Sequence, residues 1–275
     1  MERNRLFQFF YLVVWAAFLV SCAVLGIRLM ELEEGDSFYR KMGETAGSLS
    51  AVSSCPMQPA AADVRPIGSG YFGLDAVTSE LSELSLRVSR VSIEYPDIAA
   101  WLCIPGTSVD YPVMLGVDNQ FYLDHLPDGK NHVLGSLFLD YRSHWNSLHG
   151  TGFDGNSPHL IVYGHSGSGG RMFGMLKQYE LQDFYREHKV VIIAAPEAAY
   201  VCPIFSVRRV EAEGDAYLLE FEDNDALMSY ACRAAEESLY PIDVCLDHMA
   251  GILTLSTCTG RGGQRLVVQA ILPQE

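Results

Sequence analysis

Cys258 closes the alternating run Ile252–Thr257, and Arg265 opens a second run, Leu266–Leu272. Three of the residues between them are glycines, which suits a turn. A symmetric hairpin places Cys258 opposite Arg265, with Cα atoms about 4.5–5.5 Å apart and both side chains on one face. Thr254 and Ser256 share that face by the period-2 alternation of a strand. A thiol beside a guanidinium is favoured as thiolate, the form that attacks carbonyl carbon. Alone, such a residue reads more readily as a buried structural cysteine. A histidine tips the balance. His165 follows the apolar run Leu160–Tyr163 and enters a loop rich in Gly and Ser, a strand-to-loop position where general acid–base groups sit. His144, His149 and His159 flank a polar insertion, and His188 follows a charged helix end, so all four are expected at the surface.

The elements that must hold these groups begin near Ile98. Short β-type runs follow at Trp101–Ile104, Val109–Met114, Ser136–Leu139, Leu160–Tyr163, Val190–Ala194, Tyr200–Val207, Ile252–Thr257 and Leu266–Leu272. Helical stretches interrupt them at about Met172–Tyr179 and at Asn224–Ser238, the latter with Asn224 as its N-cap. With no regular βαβ alternation, the pattern predicts a mostly antiparallel barrel or sandwich with added helices, an α+β chain. Leu74–Ile93 reads as an amphipathic helix, with Leu81, Leu84, Leu86 and Val88 among its apolar positions, and Pro96 ends it. Gly164–Gly170 follows a strand but lacks the Lys-Ser/Thr of a phosphate loop.

Leu6 to Ile27 carries no charge and is long enough, as a helix, to cross a bilayer core of about 30 Å. Arg3 and Arg5 precede it and acidic residues follow, so the N-terminus is expected in the cytoplasm and the body outside. An uncleaved anchor is the leading reading. The alternatives are a cleaved signal peptide and lipidation at Cys22, where Leu19-Val20-Ser21-Cys22 has lipobox character. From Glu31 to about Tyr71 the chain reads as linker, with Cys55 an incidental thiol. The whole chain has 275 residues and a net charge of −15, which argues against nucleic acid as a partner. Its seven cysteines are too sparse for a disulfide scaffold and odd in number.

Taken together, these segments resemble the sortases, and class B in particular. Thr254-Leu-Ser-Thr-Cys258 matches the family's TLxTC motif, Val162–His165 its histidine strand and Arg265–Val268 its arginine strand. Trp101–Thr107, Asp110–Val113, Asn119–Leu123, Ser136–Arg142 and Met172–Gly174 extend the likeness, which covers roughly Asp97 to Leu272. The helix before the last hairpin points to class B. The resemblance implies a closed barrel of about eight strands, with Cys258 as nucleophile, His165 as general acid–base and Arg265 holding substrate and stabilising the oxyanion. Arg261 is a rival for the arginine role. Asn119, Leu123, Tyr163 and Ser256 are implied in the substrate pocket, and Thr259 as a source of an oxyanion N–H.

The implied partners are secreted proteins with a C-terminal sorting signal, NPQTN-like or (S/P)PxTG-like, and a peptidoglycan precursor or cross-bridge amine. The membrane is a third partner, through the N-terminal helix, and no cofactor or metal is expected. The expected division is 1–5 as cytoplasmic tail, 6–27 as signal anchor, 28–73 as stalk and 74–275 as catalytic domain. Departures from the pattern are Thr259, where relatives often carry an acidic residue, and the insertion His144–Pro158. Asp140 reads as a turn residue rather than an orienting one. Competing readings are a pilin-type or housekeeping sortase, and an exported, membrane-tethered binding protein with a structural Cys258.

Overall fold

A computed structural model describes residues 2–46, 74–143, 159–247, 249–258 and 263–273. The chain divides into two units, residues 1–41 and 42–275. The first is built on helix α1, Glu2–Ala46, whose apolar stretch has a mean hydropathy of 2.4 with none of it buried. That stretch is long and apolar enough to be a membrane anchor or a signal sequence. Linker was expected from Glu31, but the helix runs on to Ala46. Leu, Glu, Met, Arg and Lys dominate several of its last turns, and their helix propensity outweighs the scattered Gly and Ser. The rest of the expected linker, with Cys55, lies outside the described residues.

The second unit is a closed barrel of eight strands. In chain order they are β1 Ile98–Cys103, β2 Asp110–Met114, β3 Leu137–Leu139, β4 His159–Tyr163, β5 Val190–Ala194, β6 Ala199–Glu211, β7 Met249–Cys258 and β8 Gln264–Pro273. Around the barrel the order is β1-β2-β3-β4-β7-β8-β6-β5. Pairing is antiparallel except at β2–β3 and β4–β7, where it is parallel. The expectation of a mostly antiparallel barrel with added helices therefore holds. Among the described residues every strand pairs on both sides over part of its length.

Helix α2, Leu74–Glu94, buries Leu84, Val88 and Val91, an i, i+4, i+7 stripe. Leu86 was expected on the apolar face, yet it is exposed because it lies off that stripe. The stretch Phe173–Glu180 forms 3-10 turns, followed by the short helix α3, Gln182–Glu187. Helix α4 runs Asn224–Glu236 and precedes the last hairpin. Its N-cap is Asp223 rather than the expected Asn224: the Asp223 carboxylate accepts the Ala226 N–H at 2.8 Å. Leu227, Tyr230, Ala231 and Ala234 of α4 pack with Phe205, Ile252 and Ile271 of the sheet.

On β4, Leu160, Ile161 and Val162 are all fully buried, so both faces of this strand are covered. Alternation puts Leu160 and Val162 on the barrel side, and His159, Ile161 and Tyr163 on the side of Ile252 and α4.

Candidate active site

The parallel register of β4 and β7 pairs His159 with Ile252 and ends at Tyr163 opposite Ser256. Beyond the last pair, the Gly164 N–H donates to the Ser256 carbonyl at 3.2 Å. Continuing that register by two residues brings His165 level with Cys258. On the other side of β7, Cys258 stands opposite Arg265 of β8. The backbone positions of His165, Cys258 and Arg265 therefore lie at one end of three neighbouring strands. Thr259 and Arg261 lie outside the described residues.

His165 is held from several directions. A Cβ at Gly164 would lie 2.4 Å from Leu137 Cδ2 and 2.7 Å from the Phe173 ring, so this glycine lets the strand end sit against both side chains. The Phe173 N–H donates back to the His165 carbonyl at 2.9 Å, closing the Gly-rich loop. Its ring Nε2–H donates to the Leu123 carbonyl. Leu123 ends a 3-10 turn, Phe121–Leu123, at whose start Asp118 Oδ1 accepts the N–H groups of Gln120 and Phe121, each at 2.9 Å. Those backbone hydrogen bonds hold the Asp118 carboxyl below its ordinary pKa. The Leu123 side chain is exposed.

One step down the strands, the Tyr163 phenol donates to Asp140 Oδ2 at 3.0 Å. Its ring lies 5.4 Å from that of Phe138 and is stacked with Tyr217 at 6.1 Å, centroid to centroid. Burial, reinforced by the Asp140 charge, raises the Tyr163 pKa, so the phenol stays protonated at physiological pH. Asp140 is fully buried and also takes Arg142 Nε at 2.9 Å, Arg142 Nη2 at 2.8 Å and the Arg142 N–H at 3.0 Å. Burial raises the pKa of this carboxyl, and these donors more than offset it, so it lies below its ordinary value.

Asp140 thus serves the turn, as expected, and orients Tyr163 as well. Asn119 Oδ1 accepts the Tyr141 N–H at 3.0 Å, so Asn119 and Tyr163 are both anchored to the 140–142 turn. Ser256 is buried, with its hydroxyl on the Tyr217 hydroxyl at 2.8 Å. Tyr217 carries no motif in the sequence, and only the tertiary fold brings its loop to Ser256.

Behind this layer lies a polar network that sequence reasoning missed. His159, expected at the surface, is 1% exposed. As the first residue of β4 it faces α4 and the segment before it, whose Leu218 carbonyl accepts its Nδ1–H at 2.6 Å, while Thr254 Oγ1 of β7 donates to Nε2 at 2.7 Å. Gln269 Nε2 donates to Thr254 Oγ1 and to the Tyr230 hydroxyl, and Arg208 Nη2 donates to Gln269 Oε1 and Tyr230. Burial pushes the His159 pKa down to about 4, so the ring is neutral at physiological pH. His188 is half-buried rather than exposed, with Nδ1 on the Pro105 carbonyl at 2.9 Å. His144 and His149 lie outside the described residues.

No family model matches the chain. Among curated proteins it is 29% identical over 162 residues to Sortase B of Staphylococcus aureus and 32% identical over 164 residues to Sortase B of Listeria monocytogenes. In both cases the match covers 59% of this chain and 63% of the relative, so it spans a little under two thirds of the curated proteins' length. Among solved structures, a Staphylococcus aureus sortase B–substrate complex superposes with a TM-score of 0.67 at 21% identity, covering 89% of this chain and 99% of that one. Bacillus anthracis sortase B in complex with AAEK1 gives 0.66 at 24% identity, with 90% and 100% covered. Clostridium perfringens sortase B gives 0.58 at 28% identity, with 66% and 97% covered.

Proposed function

Because this chain belongs with the class B sortases in sequence and fold, we propose that it is a membrane-anchored cysteine transpeptidase that attaches secreted proteins to the cell wall. The observation that carries the reading is the strand register, which pairs Cys258 with Arg265 and ends the β4–β7 ladder at Tyr163 opposite Ser256, two residues before His165 and Cys258. The Cys258 thiolate attacks the carbonyl carbon of a Thr in the substrate's C-terminal sorting signal, forming a C–S bond and a tetrahedral oxyanion. Arg265, with the Thr259 N–H, stabilises that oxyanion. Collapse breaks the amide bond after Thr, and His165 gives its proton to the departing amine. An amine of the peptidoglycan precursor or cross-bridge then attacks the thioester. His165 takes a proton from it, a new amide forms, and the thiolate is released.

Asn119, Leu123, Tyr163 and Ser256 shape the substrate pocket in this reading. The sorting signal is NPQTN-like or (S/P)PxTG-like. Helix α4 before the β7–β8 hairpin favours class B over the pilin-type or housekeeping classes. Residues 6–27 anchor the chain with 1–5 in the cytoplasm, 28–73 form the stalk, and 74–275 form the extracytoplasmic catalytic domain. The test is turnover of fluorogenic sorting peptides with a candidate amine. Wild type is expected to release the fluorophore and yield the amine adduct by mass spectrometry, and Cys258→Ala to do neither. Equal turnover in Cys258→Ala rejects Cys258 as the nucleophile, and no turnover in wild type favours a binding protein with a structural cysteine.

A further inference from the structure

We propose that Gly135 is a positioning residue for the proton-transfer histidine. It fixes the Leu123 carbonyl that holds His165 Nε2–H, which leaves Nδ1 as the nitrogen that exchanges protons. The inference rests on the role assigned to His165 above. A carbonyl oxygen only accepts, so the Nε2 atom bonded to Leu123 carries hydrogen in both the neutral and the charged ring. The lone pair of the neutral ring is therefore on Nδ1.

The Leu123 carbonyl cannot drift, because residues 122–124 and 132–136 are laced together. The His132 N–H donates to the Asp124 carbonyl at 2.7 Å, and the Ser136 N–H to the Tyr122 carbonyl at 2.9 Å. Between these bonds the Gly135 N–H closes a turn on the His132 carbonyl at 3.0 Å, with φ of +55°. An added Cβ at Gly135 would lie 2.3 Å from the Leu123 oxygen, 2.7 Å from its carbonyl carbon and 2.7 Å from the Tyr122 oxygen. These are backbone atoms, so a side chain here has to push away the acceptor that holds the histidine. Gly129 provides the matched control: it also has positive φ, +77°, yet nothing lies within 4 Å of the position its Cβ would take.

The experiment uses the full chain in detergent with 15N-labelled histidine. The ring tautomer of His165 is read by long-range 15N correlation and assigned by the loss of its signal in His165→Gln. Wild type is expected to carry its proton on Nε2. Gly135→Ala, or Gly135→Asn, which better tolerates positive φ, is expected to lose that preference. Its kcat should fall about ten- to a hundredfold with KM changed less than about threefold. Gly129→Ala should match wild type in both readouts.

A wild-type proton on Nδ1, or wild-type kcat in a folded Gly135 variant, overturns the proposal. Failure of both Gly135 variants to fold, judged by circular dichroism, assigns this glycine to the fold alone and overturns its positioning role. The tautomer is read without substrate, so it stands or falls separately from the transpeptidase assignment, which fails on unchanged turnover in Cys258→Ala.

Discussion

Tyr163 donates its phenolic hydrogen to the buried Asp140 carboxylate at 3.0 Å, joining the end of the histidine strand to the turn that also holds Asn119. Tyr163→Phe removes one hydrogen bond to a charged acceptor and should cost about 1–2 kcal/mol. Asp140→Ala should cost about 2 kcal/mol, less than for a fully buried ion pair because Arg142 is half exposed. Urea unfolding of the barrel at pH 7, followed through the buried Trp101, measures both. The Asp140 pKa is lowered in the fold, so its contribution is complete above the unfolded carboxylate value of about 4. It is lost as pH falls through the lower folded value, and Asp140→Asn should flatten that acid limb. An unchanged limb excludes this assignment.

His159 dominates a different window. Its folded pKa of about 4 lies below the ordinary 6.5, so the unfolded chain binds the extra proton between those values. Stability then rises with pH: it is fully present above about 6.5, declines as pH falls, and levels off below about 4. The total is about 3 kcal/mol. Unfolding midpoints at pH 7 and pH 5 should differ in wild type and converge in His159→Gln. An equal difference in the two proteins contradicts a buried neutral ring.

Arg265 faces Cys258 across the β7–β8 ladder. Arg265→Lys keeps the charge but not the planar fork that grips two acceptors. A fall in kcat/KM of about a hundredfold is expected for sorting peptides. Near wild-type turnover moves the role to Arg261.

Gly164→Ala tests how tightly the histidine strand ends. The new Cβ meets Leu137 and Phe173 side chains at less than 3 Å, so the neighbours must shift at a cost of about 1–3 kcal/mol. Turnover should fall in the folded fraction as well, because His165 is the next residue. A variant with wild-type stability shows that the Phe173 ring yields freely.

The strands around the site were legible from local pattern. Val190–Ala194 is read from the sequence with the bounds it adopts, and the β7–β8 hairpin differs only at its ends. The opposition of Cys258 and Arg265 needed no tertiary information either, since a short turn and a two-residue period are properties of neighbouring residues.

His159 shows where local pattern fails. It stands beside a polar insertion and reads as surface, yet it is covered because α4 and the segment carrying Leu218 and Phe221 fold over that face of β4. Tyr217 on Ser256, Gly135 against Leu123 and the side-by-side ends of β4 and β7 belong to the same class. Each joins segments that are not neighbours in the chain, about a dozen to about ninety residues apart. Their spacing is set by how β4 pairs in parallel with β7, and by which loops close over the strand ends. By itself the sequence specified which chemical groups stand at strand ends and that a mostly antiparallel β fold carries them. Only the tertiary structure decided which groups from distant segments meet, because parallel pairing across a long connection leaves no periodic signal in the chain.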